Sequence, residues 1–195
     1  MTECVKCGHN STAGDTACRK CTWPFSPNAW KSTTQRIRRV TLDTGCVNAK
    51  GEDPSLNALE RWAADGLLHL QRADVLLKEL KGIQRVAKAK TLEPHPNLFI
   101  LGSSTLGSKD VLAGPDRLQE LQRILFPNVR SLTQNQLYDI EHLRLHVLTG
   151  GDIFITHNPN DFITRGRQEN LMSLGIWVLT PANLVSLLRA LYGWS

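Results

Sequence analysis

The sequence predicts an α/β protein, a central parallel sheet flanked by helices, preceded by a small module held by cysteines. Three observations lead there. Short β-like apolar runs alternate with helical patterns from residue 37 onward. Four of the five cysteines crowd into the first 21 residues as two Cys-x-x-Cys pairs. Residues 22–36 between these regions carry two prolines and a Ser/Thr cluster and lack any regular period. The expected organisation is a cysteine module at 1–25, a linker at 26–36 and the main domain at 37–195. A length of 195 residues suits one ordinary domain plus such a module. With 41% hydrophobic and 21% charged residues the composition is globular rather than disordered. No apolar run approaches the ~20 residues of a membrane-spanning helix. The start, Met1-Thr2-Glu3-Cys4, lacks the basic and apolar stretches of a secretory leader. A cytoplasmic chain with no membrane partner is expected.

The elements follow in order. Ile37-Arg-Arg-Val-Thr-Leu42 is β-branched and apolar and reads as a strand ending at Asp43. Leu56, Leu59 and Ala63 recur at helical spacing, with Pro54 near the first turn and Gly66 as the stop. Residues 67–70 read as a second strand. Residues 73–88 read as one amphipathic helix with Val75, Leu76, Leu80, Ile83 and Val86 inward. Residues 98–101 are a brief apolar strand, and 116–126 a helix ending near Pro127. Leu137–Leu148 is a helix terminated by Gly150 and Gly151. Asp152-Ile-Phe-Ile-Thr156 is the clearest strand. A short helix at 168–174 ends at Gly175, a strand follows at 176–179, and Pro181 opens a last helix at 182–191. Such alternation builds a parallel sheet covered on both faces.

Cys4-Val-Lys-Cys7 and Cys18-Arg-Lys-Cys21 are separated by ten residues. Two such hooks supply the four tetrahedral thiolates of a structural Zn²⁺ site, and Lys6, Arg19 and Lys20 offset its negative charge. Gly8 supplies the turn after the first hook, and His9 is an alternative ligand that four cysteines make unnecessary. Disulfides would have to survive a reducing compartment. The module resembles a small four-cysteine zinc ribbon. Too short to bury an adequate core, it would draw much of its stability from the metal. Elemental analysis of protein purified without added metal is expected to return one zinc per chain; disulfides among these cysteines would overturn the assignment.

Trp23, Phe25 and Trp30 in the connecting stretch are expected to pin the module to the main domain rather than to stack on nucleobases. The net charge of +5 is concentrated in Lys31, Arg36, Arg38 and Arg39, and in Lys78, Lys81, Arg85, Lys88 and Lys90. Either group could be a solvated face or a phosphate-binding surface.

Acidic residues stand where an α/β sheet places ligands, beyond the carboxyl ends of its strands. Asp43 ends the first strand, Thr156, His157 and Asn158 end the clearest one, and Asp161 lies just beyond. Glu79 lies in the basic helix and Asp139 near the start of another. Each alone reads as a cap, a solvated residue or a turn residue. Together they read as a site in which hard cations such as Mg²⁺ or Mn²⁺ relieve carboxylate repulsion and promote phosphodiester hydrolysis. His142 and His146 read as helix residues, His157 as the histidine nearest the chemistry, and Cys46 as a buried structural thiol.

Residues 37–190 resemble the PIN domain, a metal-dependent ribonuclease fold. The matching stretches are Val40-Thr-Leu-Asp43-Thr44, Ala73-Asp-Val-Leu-Leu-Lys-Glu79-Leu, Asp139-Ile-Glu-His142-Leu and Gly151-Asp-Ile-Phe-Ile-Thr156-His-Asn158-Pro-Asn-Asp161-Phe162, in family order. Many members carry an aspartate where this chain has Asn158; a subset has asparagine there and aspartate three residues on, as here. The resemblance implies a Mg²⁺- or Mn²⁺-dependent endoribonuclease, with Asp43, Glu79, Asp139 and Asp161 holding metal and positioning water, and Thr156 and Asn158 supporting them. RNA is the implied partner. Many small members are toxins paired with an antitoxin, so a protein inhibitor and a homodimer are further partners it allows. The alternatives are a non-catalytic RNA- or protein-binding module and a structure-specific DNA nuclease.

Overall fold

A computed structural model of the protein describes residues 2–3, 10–12, 37–80, 82–95, 98–99, 111–112, 117–164 and 166–194. Cys4, Cys7, Cys18 and Cys21, the linker 26–36 and the aromatic rings of Trp23, Phe25 and Trp30 lie outside the described residues. At the N-terminus β1 (Thr2–Glu3) pairs antiparallel with β2 (Asn10–Ser11).

The main domain is built on five parallel strands: β3 (Arg39–Leu42), β4 (His69–Arg72), β5 (Glu93–Pro94), β8 (Ile153–Ile155) and β9 (Val178–Leu179). Their order is β5-β4-β3-β8-β9. The chain steps outward from β3 through α1 (Thr44–Asn48), α2 (Pro54–Ala64), α3 (Val75–Glu79) and α4 (Ile83–Lys90) to β5. It then returns to the other side of β3 through α5 (Leu118–Leu125) and α6 (Gln134–Leu148). The strand order therefore reverses between β3 and β8, which opens a crevice at their carboxyl ends. After β8 come α7 (Pro159–Phe162), α8 (Arg167–Ser173), β9 and α9 (Pro181–Tyr192).

The alternation of side chains along a strand divides the core. Val40, Leu42, Leu70, Ile153 and Ile155 pack with Leu56, Leu59 and Trp62 of α2 and Leu184 and Leu188 of α9. Phe154 and Val178 face the other way, against Leu121, Leu125, Ile140, Leu143, Phe162 and Leu171. Each such large side chain, fully buried, stabilises the fold by about 1.5–3 kcal/mol.

Four expectations are corrected. The helix at 73–88 is two: Leu80 is extended and Gly82 has φ 97°, a left-handed conformation that interrupts the helical ladder. Ile83, expected inward, is consequently 90% exposed at the start of α4. Leu98–Phe99 (β6) does not join the main sheet but pairs parallel with Val111–Leu112 (β7), and the edge strand beside β4 is β5, which Pro94 and its brevity conceal in the sequence. The helix expected from Leu137 begins at Gln134, where Thr133 and Gln136 form a capping box; Asp139 thus sits in its second turn.

One part of the core is polar. Thr41 points from β3 to the α6 side, where its hydroxyl meets His146 Nδ1 at 2.8 Å and His95 Nε2 at 3.2 Å. Gly151 leaves room for His146, because a Cβ there would overlap the imidazole ring. His95 and His142 are buried with their Nδ1 atoms unpartnered among the described residues. Burial, then the neighbouring His142, pushes His95 down to about 4. The unfolded chain takes that proton near pH 6.5 and the folded one near pH 4, so stability falls as pH drops through this window, by of order 2 kcal/mol. Urea midpoints at pH 7 and pH 4.5 should therefore differ less in His95→Gln than in the parent protein; an equal difference would refute the assignment.

Candidate functional site

Asp43 leaves β3 and caps α1, its Oδ1 accepting the Cys46 N–H at 2.7 Å. Its Oδ2 accepts the Thr156 hydroxyl. Thr156 in turn accepts the Asn158 N–H at 2.8 Å, and Asn158 Nδ2 donates to Asp161 Oδ2 at 2.6 Å. A hydrogen-bonded path thus joins the end of β3 to α7 across the crevice. Glu79 closes α3, and its Oε2 is held by the Thr44 hydroxyl and by His142 Nε2. Asp139 lies three residues before His142, on the same face of α6. Among the described residues it makes no hydrogen bond or ion pair.

The four acids line one cleft of about 630 Å³. They share it with Thr44, Lys78, Gln134, Asn135, Tyr138, His142, His157 and Asn158. Asp139 is pushed up to about 8, first by burial and then by Asp161, Glu79 and Asp43. That ordering of causes identifies the cleft as a place where negative charge is crowded and poorly solvated. Lys78 is the cationic side chain among its lining residues. On the wall, His157 Nε2 meets Asp53 Oδ2 at 2.9 Å, and Asp53 also caps α2. Gly45 lets these groups approach: a Cβ there would meet His157 Cβ at 3.3 Å and Asp43 Oδ1 at 3.4 Å.

The donor set fits a hard divalent cation, because it consists of carboxylate oxygens, one of which, on Asp139, is raised by burial and then by the other three. As the side chains stand, no three His, Cys, Asp or Glu among the described residues form a ligand set. Asp43, Glu79 and Asp161 direct oxygens to protein donors, whereas Asp139 directs none.

The structure separates the sequence candidates by position. Asp43, Glu79, Asp139, Asp161 and Asn158 line the cleft; Thr156, fully buried, stands behind them and acts through its bonds to Asp43 and Asn158. His157 lines the cleft and His146 belongs to the Thr41 network. His142, read as an ordinary helix residue, is a partner of Glu79. Its spacing of three from Asp139 was the available signal; the partner came from α3, 63 residues away. Cys46 is buried, and its thiol is raised well above its ordinary value by burial and by Asp43, which suits a structural role. Of the basic residues, Arg39 Nη1 donates to the Thr149 carbonyl at 3.0 Å and Lys88 Nζ to the Lys50 carbonyl at 2.7 Å, so both hold the fold. Lys78 reaches the cleft, Arg85 and Lys90 are exposed on α4, and Lys31, Arg36 and Lys81 lie outside the described residues. Among the described residues no helix is long and apolar enough to cross a membrane. No protein-family model and no curated protein matches the chain.

Proposed function

We propose that the chain is a divalent-metal-dependent endoribonuclease with a PIN-like main domain and a zinc-ribbon module at its N-terminus. One observation carries the reading: carboxylates from four separate elements, Asp43, Glu79, Asp139 and Asp161, line one cleft at the point where strand order reverses. Burial, and then the neighbouring carboxylates, raise Asp139 to about 8, with no compensating hydrogen bond to that residue among the described residues. Asp43, Glu79, Asp139 and Asp161 would hold Mg²⁺ or Mn²⁺, which when bound lowers the pKa of water and stabilises the leaving oxygen of a phosphodiester.

The chain's own residues do the positioning. Cys46 N–H and Thr156 fix both oxygens of Asp43, so its carboxylate cannot rotate freely. Thr44 and His142 hold one oxygen of Glu79 and leave Oε1 for the cleft. Asn158 orients Asp161 by the same means. Lys78 offers a cation to a substrate phosphate, and Tyr138 adds an aromatic side chain to the lining. Fixed ligands of this kind lose little freedom when they act.

The test is cleavage of a mixed single-stranded RNA pool in Mn²⁺ or Mg²⁺, compared with the same reaction in EDTA and with single-stranded and flap DNA. Cleavage of RNA that stops in EDTA supports the reading. Cleavage that persists in EDTA refutes it, and cleavage confined to DNA transfers the site to a DNA nuclease.

A further inference from the structure

A second groove, of about 590 Å³, adjoins the acidic cleft and shares Asp161 with it. It lies between α5, the 126–129 turn and α8, and its polarity is opposite. Arg123 and Arg167 face a single carboxylate, Asp161, whereas four acids face Lys78 in the cleft. Arg123 is exposed and makes no ion pair or hydrogen bond among the described residues. Arg167 is held in place: its guanidinium lies over the Phe126 ring, 5.8 Å from the centroid, and its Nη1 donates to the Asn160 carbonyl and stands 3.7 Å from Asp161 Oδ1. Three amides, Asn128, Gln136 and Asn170, complete the polar lining. The Gln136 oxygen is used by the helix cap, which leaves its NH₂ group to donate.

We propose that this groove binds the single-stranded RNA that adjoins the scissile phosphate on the Asp161 side. The proposal rests on the ribonuclease reading of the cleft and adds the subsite that would hold its substrate. Four neighbouring carboxylates disfavour a polyanion, so attraction to the strand has to come from beside them. The arginines answer the backbone phosphates. Amides present both donors and acceptors, which suits the edges of unpaired bases. Because Arg167 contacts both Phe126 and Asp161, the groove and the cleft meet on a side chain with little freedom.

Binding of a 12-nucleotide single-stranded RNA, followed by fluorescence anisotropy in EDTA over a salt series, tests the groove without turnover. Arg123→Glu is expected to weaken binding about 5–10-fold and to lower the salt slope by ~0.7 for each phosphate no longer neutralised. Asn170→Ala should weaken it with little change in slope, and Arg189→Ala on α9, in the opposite layer, should leave it unchanged. Both groove residues are exposed, so the variants keep the fold. In Mn²⁺, Arg123→Glu should reduce kcat/KM on the 12-mer but not on a dinucleotide too short to reach the groove. Unchanged affinity in Arg123→Glu and Asn170→Ala, with metal-dependent cleavage intact, overturns the groove and leaves the ribonuclease reading standing. Groove-dependent binding without metal-dependent cleavage by the parent protein overturns the ribonuclease reading and leaves the groove as an RNA site.

Discussion

Asp43→Asn is expected to reduce RNA cleavage by about 10³-fold while the protein stays folded. The carboxylate is one of the four that line the cleft, and losing several kcal/mol of transition-state stabilisation, here ~4 kcal/mol, corresponds to that factor. The fold survives because asparagine keeps the shape. Its carbonyl oxygen can still accept the Cys46 N–H, and its NH₂ can donate to the Thr156 oxygen, which now only accepts. One hydroxyl hydrogen loses its acceptor, a cost of ~1 kcal/mol. Asp43→Ala would lose both partners and cost stability as well, so it is the poorer variant. Single-turnover cleavage and thermal unfolding of the same preparation separate the two effects. A loss of activity that tracks a loss of folded protein, or activity equal to the parent's, would refute the role of Asp43.

The second large effect is a gain. Asp139→Asn should stabilise the metal-free protein at pH 7.5 by of order 2–4 kcal/mol. The sign follows from Asp139 lying near 8 in the fold and near 3.8 in the unfolded chain. Between those values the unfolded state holds fewer protons, so ionisation favours unfolding and stability declines as pH rises from about 4 to about 8. The variant lacks that penalty. Its advantage should be absent at pH 4, grow through neutrality and level off above pH 8. Mn²⁺ at 100 times its dissociation constant would stabilise the parent by about 2.7 kcal/mol, and the variant should respond much less. Denaturant midpoints across pH, in EDTA and in Mn²⁺, measure both differences. A destabilised variant, or an equal metal response, would remove Asp139 from the ligand set.

Local pattern carried much of this reading. Pro54 marks the start of α2, Gly175 follows α8, and Pro181 opens α9, each because it starts or ends a helical ladder within a few residues. The run Ile153–Ile155 reads as a central strand because three consecutive apolar residues are buried from both faces. Two of the four cleft acids, Asp43 and Asp161, were legible from their places at and just beyond strand ends, whereas Glu79 and Asp139 lie within helices and were picked out by the resemblance. Where a local signal competes with tertiary packing, the pattern misleads. The apolar period runs on through Leu80 and Ile83, yet Gly82 turns the chain and exposes Ile83.

Neighbouring residues were enough to establish the alternation of strands and helices, and with it the parallel sheet, because period and caps are local properties. They were also enough to single out the acidic side chains that line the cleft as candidates. The pairing of β8 with one side of β3 and β4 with the other, which places the reversal beside Asp43, is written only in the folded chain. From this come the convergence of Glu79 and Asp139 with the strand-end acids, the hold of His142 on Glu79, and the arginine groove meeting the cleft at Asp161. These contacts join residues tens of positions apart in the chain. They depend on which faces pack together and on how burial sums the charges there, quantities no local window of sequence contains.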